Sequence, residues 1–138
     1  MQRELKFRGK DKDNNWVHGD LIHGVGYKKG NLYILPLVHN LAYIPNCHYL
    51  DGVKIENETV GQFTGLKDKN GIDIYEGDII KDNDNILDTG IIEFCCGSFG
   101  VYFTPPILFC SLSDTSEEFL NNLEVIGSIH DNPELLNK

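Results

Sequence analysis

The sequence predicts a mainly β fold with some α+β character: a small β-barrel-like or paired-hairpin domain closed by one or two short C-terminal helices. Three observations predict it. Short runs of alternating polar and apolar residues recur along the chain, beginning with Glu4-Leu5-Lys6-Phe7-Arg8. Glycine, asparagine and aspartate turn signals separate them, Asn70-Gly71 being the strongest. Helix-start signals are confined to the last quarter of the chain. At 138 residues the length fits one domain, 1–138, and a domain near this size buries roughly 70% of its unfolded surface, so one core is sufficient.

In order, residues 4–8 read as a half-buried strand with Leu5 and Phe7 facing the core, and Asp11–Asn15 as a turn. Trp16–Ile22 resumes extended structure with a break expected at Gly19-Asp20, where glycine tolerates unusual φ and aspartate bonds nearby backbone. Lys28–Asn31 is a turn, and Leu32–Leu35 extends again. Pro36 and Pro45 each remove a ladder donor, which makes 35–46 an edge strand or an irregular crossing. Glu58–Thr64 is a strand leading into a type I′ hairpin at Asn70-Gly71, after which Ile72–Tyr75 alternates, Glu76-Gly77-Asp78 turns and Ile79-Ile80 returns to the core. Lys81–Thr89, rich in Asn and Asp, reads as a mobile loop. Gly90–Phe94 and Phe99–Phe103 pair around Cys96-Gly97-Ser98. Thr115-Ser116-Glu117-Glu118 fits a capping box for a helix burying Phe119, Leu120 and Leu123. Leu123–Ile129 is a strand, and Pro133, with Asn132 as cap, opens a final short helix.

Two stretches echo one another. GKDKDNNWVHGDLI at Gly9–Ile22 and TGLKDKNGIDIYEGDIIK at Thr64–Lys81 share a Lys-Asp-Lys turn, an apolar rise and Gly-Asp before an apolar pair, with one extra residue in the second copy. What they share is turn chemistry. Reactive side chains do not match, since Trp16 and His18 stand where the second copy has Ile74 or Tyr75 and Glu76. The echo therefore reads as repeated architecture, and with two units it is not a solenoid.

Composition narrows the function classes. The chain is 41% hydrophobic with a mean hydropathy of -0.27, and no apolar run approaches the ~20 residues that span a bilayer. The N-terminus alternates charged with apolar residues where a secretory signal would be apolar. Cys47, Cys95, Cys96 and Cys110 are then expected to stay reduced in a cytoplasm as small hydrophobes. With 21 acidic and 12 basic residues the net charge is -9, which repels a phosphate backbone except where cations cluster. Arg3, Lys6, Arg8, Lys10 and Lys12 form one cluster, Lys28 and Lys29 another.

Candidate chemistry is sparse. His18, Asp20 and His23 offer metal-ligand types, but in a strand His23 faces away from the other two. Cys47-His48 with His39 lacks the C-x-x-C spacing of structural zinc. Cys95-Cys96, if extended, point to opposite sides and cannot share a metal, one of them packing inside. The stretch from Asp82 to Asp88 starts like a calcium loop yet has Leu87 where glycine is needed and no twelfth-position glutamate. No nucleophile elbow, P-loop, H-E-x-x-H or dinucleotide fingerprint occurs. A Cys/His hydrolase using Cys47 or Cys110 with His39 or His130 has no sequence signature to support it. No catalytic, cofactor or metal residue is assigned.

ELKFRGKDKDNNWVHGDLI, VGQFTGLKDKNGIDIYEGDII and LEVIGSIHDNPELL resemble the three signature blocks of the YopX-like proteins of phages and prophages. His18 and His130 stand where that family pattern has aromatic residues such as Tyr. The resemblance implies an intracellular, phage-type accessory protein that assembles as a homo-oligomer; it carries over no reaction, cofactor or catalytic residue. Two function classes follow. One is a non-enzymatic interaction module, contacting itself or a phage or host protein through exposed Tyr and Phe positions and strand edges. The other is a nucleic-acid contact through the basic N-terminal ribbon, with Trp16 and Phe7 as stacking groups. A metal-assisted hydrolase built on His18, Asp20 and His23 trails both.

Overall fold

The computed structural model describes residues 4–36, 52–83, 89–103, 108–113 and 117–136. Cα packing divides the chain into two compact units, Met1–Gln62 and Phe63–Lys138. Each is built on antiparallel strands, and the described helical structure is limited to single turns. The fold is mainly β, as expected. Both sets of strands form open sheets, so the paired-hairpin form of the expectation holds and the barrel form does not.

The first unit is a meander of β1 (Phe7–Lys10), β2 (Trp16–His23), β3 (Leu32–Pro36) and β4 (Val53–Ile55), in that spatial order. The free edge of β1 takes Gly61 and Gln62, the first residues of β5 (Gly61–Lys67). Thr59 ties this edge down: its hydroxyl accepts the Lys10 N–H at 2.8 Å and donates to the Glu56 carbonyl at 2.7 Å. The expected strand from Glu58 thus begins three residues late, at Gly61, after a 3-10 turn at Asn57–Thr59. β1 is displaced as well. Leu5 is 57% exposed, whereas Arg8, Gly9 and Lys10 are buried. Gly9 explains the close packing here, since a Cβ at that position would stand 2.1 Å from Ile55 Cγ2. Pro36 ends β3 opposite Gly19, beyond the reach of β4, where its missing N–H breaks no ladder bond. Pro45 lies outside the described residues.

The second unit begins with the rest of β5, which pairs with β6 (Asp73–Tyr75). β7 (Asp78–Asp82), β8 (Thr89–Cys95), β9 (Ser98–Phe103), β10 (Leu108–Ser111) and β11 (Leu123–Ser128) then form a sheet ordered β10-β9-β8-β7-β11. Its core is Ile74, Ile80, Ile92, Val101, Phe103, Leu112 and Leu123. Lys81 and Asp82 belong to β7 and Thr89 to β8, so the polar loop expected over 81–89 is shorter; its centre, 84–88, lies outside the described residues. The expected C-terminal helices are one α-turn, α1 (Glu117–Leu120), and a 3-10 turn, Pro133–Leu136. Thr115 and Ser116 of the capping box lie outside the described residues. Leu123 starts β11 instead of extending the helix, and Asn132 Oδ1 accepts the Ser128 N–H at 3.4 Å instead of capping the final turn.

The sequence echo corresponds to one hairpin in each unit. In the first, Asp11 Oδ1 accepts the N–H groups of Asp13 and Asn15, both at 2.9 Å. In the second, Asp68 Oδ1 accepts those of Asn70 and Ile72, at 2.8 and 2.9 Å. The fourth turn residue adopts positive φ in both, Asn14 at 67° and Gly71 at 79°. Strand pairs Lys10 with Trp16 and Lys67 with Asp73 close equivalent loops. Each turn is therefore a type I turn followed by one left-handed residue, not the type I′ turn expected of Asn70-Gly71. Asn70 keeps negative φ because the Asp68 carboxylate bonds the backbone on either side of Gly71. The type I′ turn sits elsewhere, at Cys96-Gly97, whose φ values are 54° and 84°.

The copies part at Gly-Asp. Gly19 and Asp20 lie within an unbroken β2, paired to Pro36 and Leu35, and the expected break is absent. In the second copy the strand register aligns Asp73 with Trp16 and so Tyr75, not Glu76, with His18; the left-over Glu76 and a left-handed Gly77 (φ 86°) turn the chain between β6 and β7. Asp78, almost wholly buried, accepts the Tyr75 N–H at 2.7 Å and secures that corner.

Candidate functional site

Among the described residues, those singled out by their chemistry do not assemble. His18 and Asp20 are exposed on one face of β2, and the uninterrupted strand sends His23 to the other. Among the described residues no three His, Cys, Asp or Glu side chains are grouped to hold a metal ion. His39, Cys47 and His48 lie outside the described residues. Cys110 is half-buried, and burial, reinforced by the Asp82 charge, pushes its thiol up. An activated nucleophile needs the reverse. His130 packs at the Glu76-Gly77 corner, where a Cβ on Gly77 would lie 3.5 Å from its Nε2. Asp82, where the calcium-like stretch begins, is a buried strand residue and not part of a hydrated loop.

Two cations of the basic ribbon are likewise committed to the fold. Arg8 lies 4.3 Å and Lys10 5.1 Å from the Trp16 ring, and both are buried. Lys10 Nζ also donates to Asn14 Oδ1 at 2.9 Å. These cations stack on an indole and hold a turn, which removes them from the surface charge a phosphate backbone would meet. Asp11, at the same turn, has its carboxyl held below the usual aspartate range, first by the Asn15 N–H. A depressed carboxyl stabilises the folded turn above its unfolded value and loses that contribution as pH falls through the folded one. An NMR titration is expected to place the Asp11 midpoint below that of a model aspartate; an ordinary midpoint would remove this hydrogen bonding from the account.

The most exposed apolar surface of the described residues lies on the loop between β2 and β3. Tyr27 is 94% and Val25 81% exposed. The loop is closed by its own backbone. Gly24 donates to Asn31 O at 2.9 Å, Lys28 to Val25 O at 3.1 Å and Lys29 to Gly26 O at 3.0 Å, while Asn57 Nδ2 donates to Gly30 O at 2.7 Å. Lys28 Nζ sits 5.8 Å from the Tyr27 ring and 5.6 Å from that of Tyr33, forming an aromatic-cation-aromatic ladder. Beside it is a groove of about 190 Å³ whose walls include Ile22, His23, Val25 and Tyr33. Lys28 and Lys29 were legible as a charged turn; Val25 and Tyr27 were missed because isolated apolar residues between glycines carry no periodicity.

Charge is divided unevenly between the units. Residues 1–62 contain 8 basic and 7 acidic side chains, whereas residues 63–138 contain 4 and 14. The second unit thus carries a formal charge of -10 against +1 for the first, and the loop with Lys28 and Lys29 belongs to the near-neutral first.

The sulfurs of Cys95 and Cys96 are also placed unexpectedly. Both residues are exposed and their Sγ atoms are 3.4 Å apart. The left-handed turn at Cys96 rotates its side chain toward Cys95, where an extended chain would have separated them. The neighbouring Cys96 thiol, foremost, raises the Cys95 thiol above its ordinary value.

A model of the YopX protein family matches residues 6–137, almost the whole chain and both units. The chain belongs to the YopX family. Its structure is similar to the crystal structure of protein EF1440 from Enterococcus faecalis, with a TM-score of 0.57 and 23% identity over 99% of this chain and 100% of that one. That likeness extends the shared fold along the full length of this YopX chain. No curated protein matches it. No described helix is long and apolar enough to cross a membrane.

Proposed function

We propose that this YopX protein is an accessory protein of phage or prophage origin, working in the bacterial cytoplasm as an interaction module that assembles with copies of itself. The observation that carries this reading is the β2–β3 loop, which holds Val25 and Tyr27 almost fully out of the fold while satisfying its own backbone. A rigid aromatic anchor costs little conformational entropy on docking. The occupant is the acidic second unit of another copy, since cationic Lys28 and Lys29 flank the anchor and 14 of the 21 acidic residues lie in that unit. Such a contact joins unlike surfaces, so it propagates head to tail into a ring or a filament.

Light scattering over a concentration series tests this. The expected mass exceeds the 15.6 kDa of one chain and falls as added salt screens the charges. Tyr27→Asp combined with Lys28→Glu is expected to give a monomer with an unchanged circular dichroism spectrum. A monomeric wild-type mass at every concentration would end the reading. Because Tyr27 and its lysines also form a stacking surface, a single-stranded nucleic-acid titration at low salt belongs beside it; tight binding there, with no self-association, would transfer the loop to the nucleic-acid class.

A further inference from the structure

We propose that Cys95 and Cys96 form a two-sulfur clip for a soft, thiophilic metal cation at the exposed tip of the β8–β9 hairpin. The type I′ turn needs left-handed residues, and the residue types that adopt that conformation readily are Gly, Asn and Asp. Here a cysteine occupies the first such position, at a φ of 54°, and the consequence is an Sγ pair 3.4 Å apart and open to solvent. Two fates are open to paired thiols. A disulfide requires the sulfurs at about 2.05 Å and Cα atoms at least about 4.4 Å apart, whereas neighbouring Cα atoms across a trans peptide are held at about 3.8 Å. That bond would be strained. A metal inserted between the sulfurs relaxes the requirement, because two metal-sulfur bonds of about 2.3 Å at a tetrahedral angle set the sulfurs about 3.8 Å apart. The observed separation is a few tenths of an ångström short of this, a difference that χ1 rotation of two exposed side chains absorbs.

Thiolates favour soft or borderline d¹⁰ cations over oxygen-seeking ones such as magnesium. Binding is balanced by protons: the two thiols become thiolates, form two metal-sulfur bonds and release two protons to solvent, with no change of oxidation state. Phe94, itself exposed, packs edge-on against Phe99 at 5.0 Å across the hairpin and stiffens the ribbon just below the tip. Glu93, whose charge acts on the Cys95 thiol, adds an attractive field for a cation. With two protein sulfurs the clip leaves other coordination positions to water, to a small thiol or to a further protein.

Titration of the reduced protein with cadmium, followed by its ultraviolet thiolate-to-metal absorption, tests the clip. A Cys47→Ser/Cys110→Ser variant, whose only thiols are the tip pair, is expected to give the band with the same affinity as wild type. Cys95→Ser and Cys96→Ser, made in that variant, are each expected to bind more weakly by about tenfold or more, since loss even of an outer-shell partner costs that much. Both positions are exposed, and circular dichroism checks the fold. Magnesium at equal concentration is expected not to displace cadmium. Loss of the band in the Cys47→Ser/Cys110→Ser variant, or its retention at full affinity after either tip substitution, would overturn the proposal. The measurement is made without reference to mass, so it stands or falls separately from self-association.

Discussion

Phe103→Ala is expected to destabilise the second unit by about 3–5 kcal/mol, the usual cost of removing a fully buried aromatic ring. Phe103 is wholly buried and belongs to the main cluster of that unit. Its strand partner is Gly90, and a Cβ on Gly90 would lie 2.9 Å from Phe103 Cδ1 and 2.6 Å from Val101 Cγ1. The ring occupies the room that the glycine leaves. When it is removed, the facing position has no side chain to move into the space, so the site collapses poorly and the cost falls at the upper end. Urea denaturation followed by far-ultraviolet circular dichroism measures this. Tryptophan fluorescence would not report it directly, because the one tryptophan, Trp16, lies in the first unit. An unchanged midpoint would mean that Phe103 is not the centre of the core.

The second large effect separates the two turn aspartates, which a sequence comparison treats as equivalent. Asp68→Asn is expected to cost about 1–3 kcal/mol, and Asp11→Asn far less. Both carboxylates accept two N–H groups of their own turn through Oδ1. Asp68 is also buried, and its Oδ2 accepts the Val125 N–H at 2.9 Å, joining the hairpin to β11. The adjacent Lys69 N–H reinforces the joint by donating to Leu123 O at 3.0 Å. Asparagine keeps one oxygen for the turn but presents an amide donor to the Val125 donor, leaving a part-buried N–H unsatisfied. At position 11 the carboxylate bonds Asp13 and Asn15 of its own turn and ties it to no other strand among the described residues. Equal denaturation midpoints for the two variants would remove the Asp68–Val125 joint from the account.

These aspartates show how far the sequence alone reached. Both hairpins of the echo and the Cys96-Gly97 hairpin were legible, because glycine, asparagine and aspartate settle a turn within about five residues of chain. The mainly β class and the family blocks were legible for the same reason: alternation and turn spacing are local. The turn type at Asn70-Gly71 was less so, because a side chain two residues earlier chose between two ways of closing the same loop.

What only the tertiary structure decided is where the same local text has different consequences. Gly-Asp bends the chain at residues 77–78 and leaves it straight at 19–20, since Gly19 is held between strand partners on both sides while an extra residue frees Gly77 to turn. Arg8, Lys10, Asp68, Asp78 and Asp82 are buried although their chemistry places them outside by default, and Leu5, Val25 and Tyr27 are exposed although theirs places them inside. Local propensity is carried by a residue and its near neighbours. Burial, partner and charge environment come from strands far apart in the chain.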